Sequence, residues 1–465
     1  MGCASVTETV RAYRHCFVMA LICSFLGGCA TYASLPLPTT PDLRHDVFPL
    51  MAKPEDLPLR ERAGHRFDLR RSLDIDGIAM IAVVHNSTLR ALRLKVGVAE
   101  AQAFQAGLLP NPQFGFDYGA LVGGPGITNS HLIGLAQDIL PLLTLSARKA
   151  EAAAAQRSVE LDLLWQEWQV VSQARLLFVR AISLRQQLEI LQRTRKLFEE
   201  RYGTTSAAMN RGDETLQTVT PDLVALRAAE MQQRDLDQLI LKNKHDLNAL
   251  LGLRPEAEIS LAGLGPPARI DGRSLGPLLQ YLASRRPDLL ALRAGYDANE
   301  ERVRQAIIEQ FPRLSIGSNN AKDTSAIITQ SVSVTVTLPI FDQNQGKIAI
   351  ERATREQLRA EYQARLNDAY SGAARLLTEI RLLESQYESS RKNQRELSAT
   401  AATVESAFQA KNIDERTYID LQSTLLAQEL ATARLAQSIL EQRVMLQTLI
   451  GSDLPNVNSG RRRLH

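Results

Sequence analysis

Ser331 to Ile340 reads S-V-S-V-T-V-T-L-P-I. Val332, Val334, Val336 and Leu338 alternate with Ser331, Ser333, Thr335 and Thr337, and a strand sends successive side chains to opposite faces. The segment therefore has one apolar wall and one hydroxyl wall without charge. A half-buried strand of a soluble sheet fits this pattern, and so does a barrel strand with lipid outside and water within. The residues after it narrow the choice. Pro339 ends the strand, and from Asp342 to about Ala410 no further proline occurs. Along that run Tyr362, Leu366, Ala369, Ala373, Leu376, Ile380, Leu383 and Tyr387 recur in steps of four and three, a heptad seam, with Arg359, Glu361, Arg365, Asp368, Glu379 and Arg381 off it. At about 1.5 Å per residue such a helix reaches on the order of 100 Å, too long for a globular domain. A short amphipathic strand joined to a very long helix is the unit to be explained.

The N-terminus carries Arg11, Arg14 and His15, then an uncharged apolar run from Cys16 to Leu26. That is too short to span a bilayer as a helix but suits the core of a signal peptide. The run closes in Leu26-Gly27-Gly28-Cys29-Ala30, which resembles a bacterial lipoprotein lipobox. The resemblance implies a signal peptide over 1–28 and Cys29 as the first mature residue, bearing a diacylglyceryl thioether and an N-acyl chain such as palmitate. Several chains together give durable anchoring. An ordinary signal peptide with an incidental cysteine is the alternative. Ala30 after the cysteine resembles the form that is sent on to the outer membrane. The other cysteines are Cys3, Cys16 and Cys23, so a mature chain keeps only the lipidated one and needs no disulfide.

The net charge is +3, part of it in the Arg461-Arg462-Arg463 cluster, which reads as a solvated tail and makes no case for nucleic acid. No later stretch approaches twenty apolar residues, so a membrane crossing by the mature chain falls to strands. Seven histidines (His15, His45, His65, His85, His131, His245 and His465) show no i,i+4 pair, and no cluster has metal-ligand spacing. Gly123-Gly124-Pro125-Gly126 is a loop tip rather than a phosphate cradle. No nucleophile elbow, Walker motif or H-E-x-x-H is present. The expectation is no enzyme, no cofactor and no resident metal. Trp165 and Trp168 read as packing residues rather than a ligand platform.

Pro36, Pro38, Pro41, Pro49, Pro54 and Pro58 mark an extended tether within residues 29–72. The chain then nearly repeats itself. Asn86-Ser87-Thr88-Leu89 lies beside Arg286-Pro287-Asp288-Leu289, Leu109-Pro110 beside Phe311-Pro312, Leu140-Pro141 beside Leu338-Pro339, Lys149 beside Lys347, and Leu250-Leu251-Gly252 beside Leu449-Ile450-Gly451, at offsets between 198 and 202. This is an internal duplication, with repeats over 73–252 and 278–452, a proline- and glycine-rich linker over 253–277 and a tail over 453–465. Each half reads helix, strand, strand, long helix, return helix. The first helix is expected from Ile75 to Leu109. Strands are expected at Gln113 to Tyr118, with Phe114, Phe116 and Tyr118 on one face, at about His131 to Leu140, at Arg313 to Ser318, with Leu314 and Ile316 on one face, and at about Ile328 to Leu338. Loops are expected at Gly119 to Asn129 and Asn319 to Ile327. Alternation around Leu135 is too weak to assign faces. The long helices are expected from Ser146 to about Arg201, with Leu164, Trp168, Val171, Phe178 and Ile182 on its seam, and from Asp342 to about Ala410, turning back at Gly203 to Asp213 and at Lys411 to Glu415. Gly252 and Gly451 stand where helix C-caps belong.

Four strands per chain cannot close a barrel, and lipid does not tolerate an open edge, so strands in a membrane must be shared between copies. The duplication, the junction prolines Pro110, Pro141, Pro312 and Pro339, and the lipobox together resemble the TolC-type outer-membrane efflux proteins over almost the whole mature chain. Leu109-Pro110-Asn111-Pro112-Gln113 and Ala136-Gln137-Asp138-Ile139 look most like the branch serving heavy-metal resistance pumps. The resemblance implies a mainly α fold with a small β part. Long antiparallel coiled-coil hairpins form an α-barrel through the periplasm, and four strands per chain enter a shared, twelve-stranded β-barrel of a homotrimer in the outer membrane. Val332, Val334, Val336, Leu338, Phe114 and Phe116 are then the lipid-facing residues. The implied partners are a periplasmic adaptor (a membrane fusion protein) and an inner-membrane pump, of the RND type. The implied role is a passive duct for metal cations or small toxic compounds. A lipid-anchored periplasmic coiled-coil adaptor or scaffold is the competing reading, and it leaves the alternating strands unexplained.

The resemblance also implies a gate at the periplasmic mouth. Asp420, in Thr417-Tyr418-Ile419-Asp420-Leu421-Gln422, matches the family's gate aspartate, and Asp222 falls in the corresponding segment of the first half. Tyr418 and Arg416 are the expected donors to Asp420. Where the family often has a second acid this chain has Thr417, and Pro221 departs from the pattern and is expected to kink or restart its helix. The alternative is that Asp420 and Asp222 stand on solvated helix faces.

Overall fold

The structure, a computed structural model, describes residues 32–46, 72–267 and 280–451. The expected signal peptide, the lipidation site Cys29 and the C-terminal tail lie outside the described residues, as do 47–71 of the tether and 268–277 of the linker. Residues 32–43 belong to a separate N-terminal unit and carry no helix or strand. All described helices and strands belong to the unit from Arg44 onward.

The element order is α1 (Ile75–His85), α2 (Ser87–Ala106), β1 (Gln113–Gly119), β2 (Ser130–Asp138), the single turn α3 (Leu140–Leu143), α4 (Leu145–Arg211) and α5 (Leu216–Leu250). The second half follows with α6 (Leu282–Arg285), α7 (Pro287–Ile308), β3 (Arg313–Lys322), β4 (Ile328–Thr337), α8 (Gln345–Gln409) and α9 (Glu415–Ile450). The expected helix from Ile75 to Leu109 is two helices. Asn86 takes an extended conformation (ψ 121°), and its side-chain oxygen accepts the Leu89 N–H at 3.0 Å, which starts α2. A short polar side chain competes with the helical backbone in this way and makes a cap rather than an interior residue. The Asn86 amide also donates to the Leu250 carbonyl at the end of α5, and Arg285 donates to the Gly451 carbonyl at the end of α9. The two halves thus tie helix start to helix end in the same way.

The outgoing helices α4 and α8 have 67 and 65 residues, which corresponds to about 100 Å each. Gly203 lies inside α4, and the chain turns instead at Gly212, whose φ of 85° is left-handed. Pro221 neither restarts nor ends α5; it falls in the second turn, so its ring removes one backbone bond of a helix already begun. The seams predicted from spacing are where the packing is. Trp168, Val171, Phe178 and Ile182 of α4 and Ala369, Ala373, Leu376, Ile380 and Tyr387 of α8 are all buried. Around the first seam the largely apolar α1 packs on α4, and Ile78, Ile81 and Val83 share a core with Phe178, Leu247, Leu250 and Leu253. The second half has a smaller core of Leu282, Ala373, Leu376, Ile380, Leu446 and Ile450. Both return helices stop at a left-handed glycine, Gly252 at φ 70° and Gly451 at φ 69°. At Gly451 there is a second reason for glycine: a Cβ would meet the Trp168 ring at 2.5 Å.

The four strands make one antiparallel sheet in the order β1-β2-β3-β4, so the two halves meet at the β2–β3 pair. β3 runs to Lys322, four residues past its expected end. Asn319 to Lys322 are polar, but each is paired on both sides, with β2 and with β4, and that pairing holds them as strand. The outer strands β1 and β4 each leave one backbone edge unpaired within the chain.

Candidate functional site

Register assigns the faces that periodicity left open. Residues directly opposite in an antiparallel pair share a face. Phe114 lies opposite Leu135, Leu135 opposite Ser318, and Ser318 opposite Val332. Phe116 is opposite Ile133, Ile316 opposite Val334, and Leu314 opposite Val336. One face therefore carries Phe114, Phe116, Ile133, Leu135, Ile316, Val332, Val334 and Val336, all exposed, with Leu314 beside them. Leu135 is on this face. Leu338 stands just past the end of β4, also exposed. Towards the β3–β4 turn the same face becomes mixed, with His131, Asn320, Lys322 and Gln330 beside the exposed Ile328, and Tyr118 sits in that rim. The opposite face carries Gly115, Asp117, Gly134, Asp138, Arg313, Ser315, Ser331, Ser333, Thr335 and Thr337, with Leu132 as its one large apolar residue.

The helical hairpin ends hold the other constellation. Arg201, ten residues before the end of α4, reaches two carboxylates at once. Its Nε lies 2.7 Å from Asp222 Oδ1 on α5, and its Nη1 lies 2.6 Å from Asp420 Oδ1 on α9. One guanidinium thus joins three helices from both halves. The two acids differ in setting, the Asp222 side chain being 3% exposed and that of Asp420 61%. Asp222 is therefore not on a solvated face. Thr215 and Asp414 cap the two return helices at an offset of 199, because the second turn has one residue more. By that register Asp222 corresponds to Leu421 and not to Asp420, so the two acids point differently.

The expected donors to Asp420 are not used. Tyr418 stacks on Phe408, ring centroids 4.7 Å apart and planes within 7°. Residues two apart on a helix do not face one another, which takes Tyr418 away from Asp420. Burial, with the Glu405 and Glu200 charges, pushes the Tyr418 phenol above its usual range. Arg416 is exposed and makes no ion pair with the described residues. Thr417 completes a cap: its N–H and hydroxyl both donate to Asp414, at 2.7 and 3.1 Å, and these bonds hold the Asp414 carboxyl below the usual range.

Sequence spacing passed over Arg201, although a signal was there. Leu191, Thr194, Phe198 and Arg201 recur in steps of three and four, out of frame with the seam of Trp168 to Ile182. Arg175 stands on that earlier seam and is likewise paired across helices, to Asp76 of α1 at 2.8 Å. A charge at a seam position implies a partner on the facing helix. Trp168 is core, and Trp165 carries the Arg286 guanidinium 4.8 Å over its ring while Arg286 chelates Asp288.

The chain combines an apolar exposed sheet face with long helical hairpins joined at their ends by Arg201. Residues 278–452 match the family model described as outer membrane efflux protein. Over those residues the chain is similar to that family. Its fold is also that of solved outer-membrane channels. OprN matches at 17% identity over 91% of this chain and 99% of its own, with a TM-score of 0.67. CusC matches at 18% over 83% and 95%, with 0.64. VceC of Vibrio cholerae matches at 15% over 81% and 96%, with 0.66. Among curated proteins no relative matches the sequence. The matched residues take in α6, α7, β3, β4, α8 and α9, including Asp420 but not the Arg201 that holds it. Among the described residues no helix is long and apolar enough to cross a membrane, and no group of three or more His, Cys, Asp or Glu could hold a metal ion.

Proposed function

We propose that this chain is the outer-membrane channel of a tripartite efflux system. Three copies close a twelve-stranded barrel in the outer membrane and continue it into the periplasm as a helical tunnel. A periplasmic adaptor and an inner-membrane pump of the RND type load it. The observation that carries this reading is the sheet. Leu132 apart, the four strands put their large apolar residues on one exposed face and small, hydroxyl or charged residues on the other, and both outer edges are unpaired within the chain. Lipid takes the first face, water the second, and neighbouring copies the edges. The passage is passive, and its cargo is metal cations or small toxic compounds. The Arg201–Asp222–Asp420 cluster works as a latch at the periplasmic end, where a ring of carboxylates also favours cations.

The purified chain, added to planar bilayers, should produce stepwise conductance, and its oligomer should resist detergent until heated. A coiled-coil adaptor bound to the membrane only by its lipid gives no steps, and their absence would return that alternative to first place. The anchor has its own test. Labelled palmitate should enter the wild-type protein through Cys29 and leave Cys29→Ser unlabelled; equal labelling of both removes the lipoprotein assignment.

A further inference from the structure

Position 286 departs from the repeat. Asn86, its counterpart in the first half, caps α2 through its side-chain oxygen and gives its amide to the Leu250 carbonyl. In the second half Arg285 takes over the contact with the return helix, donating to the Gly451 carbonyl, and α7 starts on Pro287 without a side-chain cap. Arg286 is left with neither task, yet its side chain is only 3% exposed. Its Nε and Nη2 fork onto Asp288 at 3.0 and 2.6 Å. The third nitrogen, Nη1, is buried and has no hydrogen-bond partner among the described residues. A buried donor that makes no bond is costly, and a charged one more so.

Arg286 lines a cavity of about 380 Å³ between α4, α8 and α9, within the size range of sites for small organic molecules. Two further arginines, Arg365 and Arg375 of α8, line it with a single carboxylate, Asp368. Arg375 is paired with Glu379 on its own helix, whereas Arg365 forms no ion pair with the described residues. Ser172 of α4 adds a buried hydroxyl, and Leu376, Met445 and Leu449 give the cavity an apolar side.

We propose that this cavity binds a small organic anion. Its carboxylate or phosphate is held between Arg286 and Arg365 with the Ser172 hydroxyl, and its apolar body lies along Leu376, Met445 and Leu449. Guanidinium is the side-chain donor best matched to such oxyanions. An inorganic ion would leave the apolar side unfilled. Along α8, Arg365 is about 30 Å from Gln345, where the helix leaves the sheet. That is beyond the reach of a lipid headgroup in the proposed barrel's membrane, so the ligand comes from solution. Every residue of the site belongs to one chain, and the site stands whether or not the channel reading does.

Trp165 and Trp168 are the two tryptophans of the chain, their ring centroids 6.2 Å apart, so intrinsic fluorescence reports on this site. Full-length protein in a nonionic detergent, titrated with adamantane-1-carboxylate, should show a saturable change in tryptophan emission with a matching heat by calorimetry. Adamantane-1-carboxamide has the body without the charge, and inorganic phosphate has the charge without the body. Each should bind at least about tenfold more weakly. Arg365→Gln should weaken the carboxylate by at least about tenfold, and Asp368→Asn should tighten it. Both positions are exposed, so neither variant threatens the fold. Carboxamide binding as tight as carboxylate binding overturns the anion, and phosphate binding as tight overturns the organic body. No saturable binding, or heat without a tryptophan change, overturns the site. So do the two variants if they move the affinity in the same direction or not at all.

Discussion

Arg201→Ala should be among the most damaging single substitutions outside the cores. Asp222 is almost fully covered, and removing the cation beside it leaves an uncompensated buried carboxylate, a change that costs about 3–5 kcal/mol. Asp420→Ala breaks the other half of the same cluster, but that carboxylate is mostly in water, where an ion pair contributes about 0–1 kcal/mol. Denaturant unfolding of the detergent-solubilised protein should rank the two in that order. The double variant Arg201→Ala/Asp222→Asn should regain part of the loss, since the neutral amide tolerates burial better than the bare charge. In planar bilayers Arg201→Ala should also raise the time spent open, because the three helices it joins are then free to separate. Equal costs for Arg201→Ala and Asp420→Ala would mean that the buried bond is not what holds the hairpin ends.

The second large effect concerns the strands. Val334→Arg places a charge in the middle of the apolar face, opposite Ile316, and an arginine on the lipid side near the bilayer centre costs roughly 2–4 kcal/mol. In the proposed ring of three copies that cost is paid three times. Thr335→Arg, one residue on, points to the hydroxyl face and should be far milder. The same contrast reaches β2: Leu135→Arg should behave like Val334→Arg, and Leu132→Arg like Thr335→Arg. The readout is the amount of heat-modifiable oligomer recovered from the outer membrane. If Leu132→Arg proved the worse of that pair, the faces of β2 would be the reverse of those described.

The long elements were legible because each rests on a simple period. Heptad spacing gave α8 its seam and strand alternation gave β4 its two faces, and the repeat carried both assignments to the other half. What was not legible depended on neighbours. Gly134, Ala136 and Gln137 flank Leu135 with so little contrast that β2 alone has no readable face; only its hydrogen-bonded register with β1 and β3 supplies one. Asn319 to Lys322 read as loop by composition and are strand because both sides are paired. At the hairpin ends, the expected donors to Asp420, Tyr418 and Arg416, lie within four residues of it. The donor comes from 219 residues away, on a helix brought alongside by packing. The break at Asn86 was a capping signal hidden in an otherwise helical run.

The unpaired edges of β1 and β4 also set how the protein can come into being. In the proposed membrane barrel a lone copy would bring two rows of unsatisfied backbone groups into hydrocarbon, each costing several kcal/mol, so no stable one-copy intermediate is expected there. Chain folding in the bilayer and association with other chains are then a single event governed by mass action. Its rate must climb steeply with the supply of newly exported chains and fall away when they are scarce. Dilution, more than heat, is the stress to which such a protein is exposed during its synthesis, and a lipid that confines chains to a surface would counter it by raising their local concentration.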